Sequence, residues 1–218
     1  MVKGLHRGKP ATALFDGHRW KRTVHAGFVE LSATYESHDG RLWIAGLPGG
    51  RPGTLREIGG LLRFDGREWT HLTPPDAPDH AYGIGQTADG VFWFGGTNLR
   101  KWDEKTLTVV REPEKLANTP ADAILSTAGG DLWVGTRNYG VFRFDGQTWT
   151  RYDIKEGLAH SRVNQILQTQ DGDIWVITGG KAYNRFDGKT WVSYALPMEL
   201  EARAFRYSLF QTPDGALW

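Results

Sequence analysis

Short runs in which apolar and polar residues alternate, broken at regular intervals by glycine-containing turns, make up most of this chain. Val141-Phe142-Arg143-Phe144 shows the pattern, with one face apolar and the other polar, which is the period-2 signature of a half-buried strand. In the cleanest stretch the runs predict strands over about residues 163–169, 174–178, 182–186 and 191–194. No apolar period of 3.6 persists, and glycines and β-branched residues interrupt every candidate helix.

The turns between the runs belong to two alternating motifs. The first reads Asp39-Gly40-Arg41-Leu42-Trp43, and returns as Asp89 to Trp93, Gly129 to Trp133, Asp171 to Trp175 and Asp214 to Trp218, its tryptophans spaced by 50, 40, 42 and 43 residues. The second reads Phe15-Asp16-Gly17-His18-Arg19-Trp20 and returns at Phe64, Phe144 and Phe186, with a worn copy at Trp102-Asp103-Glu104-Lys105-Thr106-Leu107. Asp-Gly between alternating runs is the strongest short-range hairpin signal. Each repeat is therefore two hairpins, or four strands, and a period near 42 residues with four strands fits a propeller blade better than a solenoid. The predicted fold is all-β, a propeller of about five four-stranded blades. The blades fall at about 28–73, 80–112, 120–153 and 161–196, with half-blades at 13–25 and 205–218.

The two half-blades can pair to close a five-bladed ring. Against this, the run that ends at Trp218 stops where its counterparts continue through Val134-Gly135-Thr136 and Val176-Ile177-Thr178. A fragment of a longer propeller and a self-closed ring are both open readings.

Composition narrows the chemistry. With 26 Lys and Arg against 25 Asp and Glu, and no run of like charge, nothing supports a nucleic-acid partner. There is no cysteine, hence no disulfide and no thiolate metal site. No apolar stretch follows the basic start at Met1 to Pro10, so the chain carries no signal peptide and no membrane-inserting run of its own. The high counts are 28 Gly and 10 Trp, suited to tight turns and to large buried area per residue.

The segment Glu156-Gly157-Leu158-Ala159-His160-Ser161-Arg162-Val163-Asn164-Gln165-Ile166, followed by Asp171-Gly172-Asp173-Ile174-Trp175-Val176 and Phe186 to Trp191, resembles the two-component regulator propeller repeat. Gly140 to Trp149 resembles its second half. The resemblance runs from Phe15 to Trp218 and weakens around Trp102 to Arg111. It implies the periplasmic or extracellular sensor part of a membrane histidine kinase or related regulator, often tied to carbohydrates. The kinase linkage rests on the resemblance alone, since the chain has no kinase, transmembrane or DNA-binding segment.

In such a propeller the loops from the last strand of one blade to the first of the next, and from second to third strand, share one face around the central channel. Binding residues on a rigid scaffold are expected there. Counting back from each first motif lands on Ser32, Tyr82, Asp122, Asn164 and Tyr207, a polar ring that either binds a ligand or merely hydrates the channel. Adjacent loops add His80, His160, Arg162 and Arg203, and on the other connection Arg51, Asn98, Arg100, Arg137, Asn138, Tyr139 and Lys181. The candidate ligand site is Tyr82, Asp122, Asn164, Tyr207, Arg137, Asn138, Tyr139, His160 and Arg162. Its arginines, amides and aromatics suit a saccharide or carboxylated ligand. The aspartates of the Asp-Gly turns are needed for the turns themselves, and the periodic tryptophans for packing between blades.

No catalytic residue, metal site or cofactor is assigned. The seven histidines lack ligand spacing, and no nucleophile elbow, phosphate loop or EF-hand pattern occurs. Two other functions remain. One is a protein-interaction scaffold using the long loop from Leu47 to Gly60. The other is a propeller lyase or hydrolase, for which Tyr82 and Asp122 are the only pair to test.

Overall fold

A computed structural model of the chain describes residues 1–25, 28–48, 60–72, 81–179, 182–195 and 208–218. Four of its sheets are four-stranded antiparallel meanders. They comprise β4 (Phe28–Glu36), β5 (Leu42–Pro48), β6 (Gly60–Phe64) and β7 (Trp69–Leu72); then β8 (Gly83–Gln86), β9 (Phe92–Gly95), β10 (Arg100–Trp102) and β11 (Leu107–Val109). The third holds β12 (Ala121–Ser126), β13 (Leu132–Thr136), β14 (Val141–Phe144) and β15 (Trp149–Tyr152), and the fourth β16 (Val163–Gln168), β17 (Ile174–Thr178), β18 (Ala182–Phe186) and β19 (Trp191–Ala195). A fifth sheet, at the N-terminus, has three strands: β1 (Val2–His6), β2 (Lys9–Phe15) and β3 (Trp20–Val24). The first strands β4, β8, β12 and β16 pack in succession along the inside of the array.

The turns hold as their chemistry requires. In each second motif the aspartate Oδ1 accepts two backbone N–H groups, as Asp145 does from Gln147 at 2.9 Å and Thr148 at 2.7 Å. These bonds favour the ionised carboxylate, and that of Asp145, which also accepts the Thr148 hydroxyl, is lowered to about 2. The glycine after it takes a left-handed φ of 97°, which a side chain disfavours. The worn repeat makes the same turn: Asp103 accepts from Lys105 and Thr106, while Glu104, in the glycine position, is held at φ 67°.

Between sheets the contact is aromatic. Trp43 on β5 is fully buried against Phe92 at 4.7 Å and Trp102 at 5.8 Å of the next sheet. Trp93 meets Phe144 and Trp149 at 5.8 and 5.9 Å, and Trp133 meets Phe186 and Trp191 at 5.7 and 6.3 Å. The backbones approach closely enough that a Cβ added to Gly135 would lie 2.4 Å from Val163 Cγ1. Glutamine amides lock neighbouring turns: Gln86 accepts the His38 N–H, Gln168 that of Ala128 and Gln211 that of Gln170, each at about 3 Å.

Two features depart from the sequence reading. The N-terminal unit is a three-stranded sheet rather than a half-blade over 13–25, because Arg7 and Gly8, both at positive φ, form a tight turn that folds β1 back onto β2. β1 lies on the edge of β2 that a second strand takes in the complete sheets. Nor do the terminal half-blades pair among the described residues: the sheets there are not closed into a ring, and the edge that would receive a C-terminal hairpin is filled by β1. Residues 208–218 instead form a turn with a single bridge, Gln211 to Leu217, held to the fourth four-stranded sheet by Gln165, whose amide both donates to the Leu209 carbonyl and accepts its N–H.

Replacing Glu104 with glycine removes a left-handed side-chain cost of about 1–2 kcal/mol against a glycine entropy cost of about 0.5–1 kcal/mol. Urea unfolding should show the variant about 0.5–1 kcal/mol more stable; a loss of stability contradicts the strained-turn reading. Acid sensitivity also follows, because a carboxyl depressed in the folded state stabilises it fully above the unfolded value near 3.8 and loses that contribution as pH falls towards about 2. Melting temperature should fall across that window, and more shallowly for Asp145→Asn.

Candidate ligand-binding face

In three of the four complete sheets the first strand carries a β-bulge. The ladder slips twice on β4, between Phe28 and Glu30 and between Leu31 and Thr34, and once each on β12, between Ala121 and Ala123, and on β16, between Val163 and Gln165. A bulge leaves a residue outside the pairing and turns its side chain away from the sheet. The skipped residues include Ser32 with Ala33, Asp122, and Asn164, so three positions of the polar ring fall on bulges. Tyr82 sits one residue ahead of β8, its N–H on the Gly95 carbonyl at 2.7 Å. Tyr207 lies outside the described residues, as do His80, Arg51, Lys181, Arg203 and the span 49–59 of the long loop.

The structure brings Asp122 and Arg137 together directly. Arg137, on the turn after β13, donates from Nε to Asp122 Oδ2 at 3.0 Å and from a terminal nitrogen to Oδ1 at 2.8 Å. This carboxylate raises the Arg137 pKa further, with a smaller contribution from nearby Tyr82. Beside them Asn138 is exposed and Tyr139 half-buried, with Lys115 and Arg151 over the Tyr139 ring at 6.0 and 5.8 Å. The Gly140 N–H donates to the Ser161 carbonyl at 2.7 Å, joining this turn to the segment that leads into β16. There His160 Nδ1 accepts the Arg162 N–H at 2.9 Å, and the exposed Arg162 packs its stem towards Gly179.

Not all of the ring is available. Ser32 donates to the carbonyls of Ala45 and Ala81, which makes it a fastener between two sheets. Arg151 is paired with Asp153, which also accepts the Ser161 hydroxyl. The exposed groups left for a ligand are Asn138, His160, Arg162 and Asn164, with the Asp122–Arg137 pair at their side. Among the described residues no three His, Cys, Asp or Glu stand together as a metal site, and no helix is long and apolar enough to cross a membrane.

Residues 157–180 match the family described as two component regulator propeller. They carry a two-component regulator propeller repeat. That segment holds the β16 bulge and with it His160, Arg162 and Asn164. Solved structures show the same fold. The extracellular domain of a putative hybrid two component system from B. thetaiotaomicron superposes with a TM-score of 0.68 at 17% identity, over 86% of this chain and 26% of that one. A second such domain from B. thetaiotaomicron gives 0.60 at 18% identity, over 86% and 28%. Catalytically inactive virginiamycin B lyase from Staphylococcus aureus, crystallised with quinupristin, gives 0.65 at 14% identity, over 95% and 66%. The chain thus spans about a quarter of the extracellular domains it resembles. No curated protein matches the sequence.

Sequence reading did not anticipate a cleft of about 210 Å³ between the third and fourth four-stranded sheets, on the face of the opposite turns. Its signal was the replacement of Asp-Gly by Gly129-Gly130 in the first motif.

A double-mutant cycle of Asp122→Asn and Arg137→Gln should give a coupling of roughly 0.2–1 kcal/mol, since the arginine is about half exposed. A coupling near zero in urea unfolding would show that the pair does not hold in solution.

Proposed function

We propose that this chain is the recognition part of a sensor propeller, binding a saccharide at the face where the strand-start bulges meet the turns after the second strands. The observation that carries the reading is the register slip at Asp122 and Asn164, which presents polar side chains from a framework fixed by buried tryptophans. Exposed Arg162, His160 and Asn138 add the donors that hydroxyl-rich or carboxylated ligands accept from. The repeat match and the likeness to extracellular domains of two-component systems support a sensory role outside the membrane, with a histidine kinase as the downstream partner.

A lyase reading has the fold of virginiamycin B lyase in its favour. Its candidate pair is poorly placed for proton transfer, because both oxygens of Asp122 are engaged by Arg137. A protein-interaction scaffold built on the loop from Leu47 to Gly60 turns on residues outside those described.

Calorimetric titration of a panel of neutral and acidic oligosaccharides tests the proposal. A ligand bound by the wild-type chain should be lost from the triple variant Arg137→Gln, Arg162→Gln, Asn164→Ala, whose circular dichroism and melting should stay close to wild type. Unchanged affinity in that folded variant removes the site.

A further inference from the structure

In the first two four-stranded sheets the first motif closes on itself through three groups. In the β4–β5 turn the Ser37 hydroxyl donates to Asp39 at 2.6 Å, the Arg41 N–H donates to the same carboxylate at 3.2 Å, and the buried Trp43 indole donates to Ser37 Oγ at 2.9 Å. The β8–β9 turn repeats this with Thr87, Asp89, Val91 and Trp93 at 2.7, 3.3 and 3.0 Å. In the β12–β13 turn the aspartate is replaced by Gly129. Thr127 Oγ1 there accepts the Asp131 N–H at 3.0 Å and donates to the Asp131 carbonyl. Its lone pair is no longer offered to the tryptophan. Trp133, 98% buried at 2% exposure, is left with an indole N–H that has no partner, at a cost that a buried donor ordinarily avoids.

The vacancy is real space. A Cβ added to Gly129 would meet nothing nearer than Thr127 Oγ1 at 3.9 Å, and Thr127, Gly129, Asp131, Trp133 and Arg143 line the 210 Å³ cleft against Gln168 and Phe186 of the neighbouring sheet. Charge does not forbid an anion, because Asp131 is neutralised by Arg143 at 2.8 Å. The fourth sheet shows the filled version of the same frame: Asp173 is paired with Arg185, and the turn carboxylate of Asp171 sits beside that pair. Its pKa is held below the usual value by the Thr169 hydroxyl first, then by the Asp173 N–H and the Arg185 charge.

We infer that the cleft between the third and fourth four-stranded sheets binds a small carboxylate, whose oxygens take the place of the aspartate side chain missing at Gly129. The carboxylate accepts the Thr127 hydroxyl and the Asp131 N–H, and Thr127 Oγ1 is thereby returned to the Trp133 indole. The binding needs no covalent step, and the remainder of the ligand lies along Arg143 and Gln168. This site is on the opposite face from the saccharide face proposed above and stands or falls independently of it.

The test follows the Trp133 indole N–H by nuclear magnetic resonance of the whole chain, its signal assigned by its loss in Trp133→Phe. Sodium acetate should shift it saturably, while sodium chloride at matched ionic strength and acetamide should not. Gly129→Asp should show the shifted position without acetate, melt at higher temperature, and bind acetate at least about tenfold more weakly, the loss expected when a charged hydrogen-bonding site is already filled. Gly129→Asn, which offers one acceptor oxygen, serves as a second variant should the aspartate fail to fold. Galacturonate and glucuronate separate the sources of the carboxylate: tighter binding than acetate marks an acidic saccharide as the occupant, and equal binding a small free acid. No saturable shift with acetate, or an equal shift in Gly129→Asp, overturns the inference and leaves the cleft to water.

Discussion

Every other feature of this structure depends on one contact, the burial of a second-strand tryptophan under the aromatic pair of the following sheet. A four-stranded meander has two faces to cover and cannot cover either alone. Trp43, Trp93 and Trp133 each reach across to residues of the next sheet at the end of its third strand or the start of its fourth, or, for Trp43, also its second. The glycines of the inner strands allow backbones to approach where a methyl group would collide. Stability is therefore passed from neighbour to neighbour, as in other repeat architectures. Damage at one interface weakens the two sheets that share it and leaves remote ones in place.

The repeat was legible because its signals are local. Asp-Gly turns, alternating runs and tryptophans at near-constant spacing fixed four strands per unit, and the strands expected near 163–169, 174–178, 182–186 and 191–194 agree with β16 to β19 to within a residue at their ends. The worn copy at Asp103 was readable for the same reason, since the aspartate carries the turn even when glycine is absent. What the pattern could not show was β1, whose residues Val2 to His6 have no counterpart in the motifs and whose turn is made by Arg7 and Gly8.

The polar ring was found by counting residues, and the count alone could not say why those positions differ from the strand that follows. The answer is the bulge, a property of pairing between two strands that no single strand reveals. Counting also could not separate residues that face solvent from those consumed by the scaffold. Ser32 fell on the ring and proved to be a fastener, and Asp122 and Arg137, counted as separate candidates, neutralise each other. The cleft beneath Gly129 escaped because a Gly-Gly turn reads as an acceptable variant of Asp-Gly. Its importance appears only when the tryptophan six residues after Thr127 is compared with Trp43 and Trp93.

The glutamine locks carry a mechanical consequence. Gln86 ties the second four-stranded sheet to the turn of the first, Gln168 the fourth to the turn of the third, and Gln211 the C-terminal turn to the fourth, while Ser126 takes the place between the second and third, so neighbouring units are joined by directional hydrogen bonds as well as by aromatic packing. Sliding of one unit past the next would therefore break a directional bond at the turns before it disturbed the buried rings.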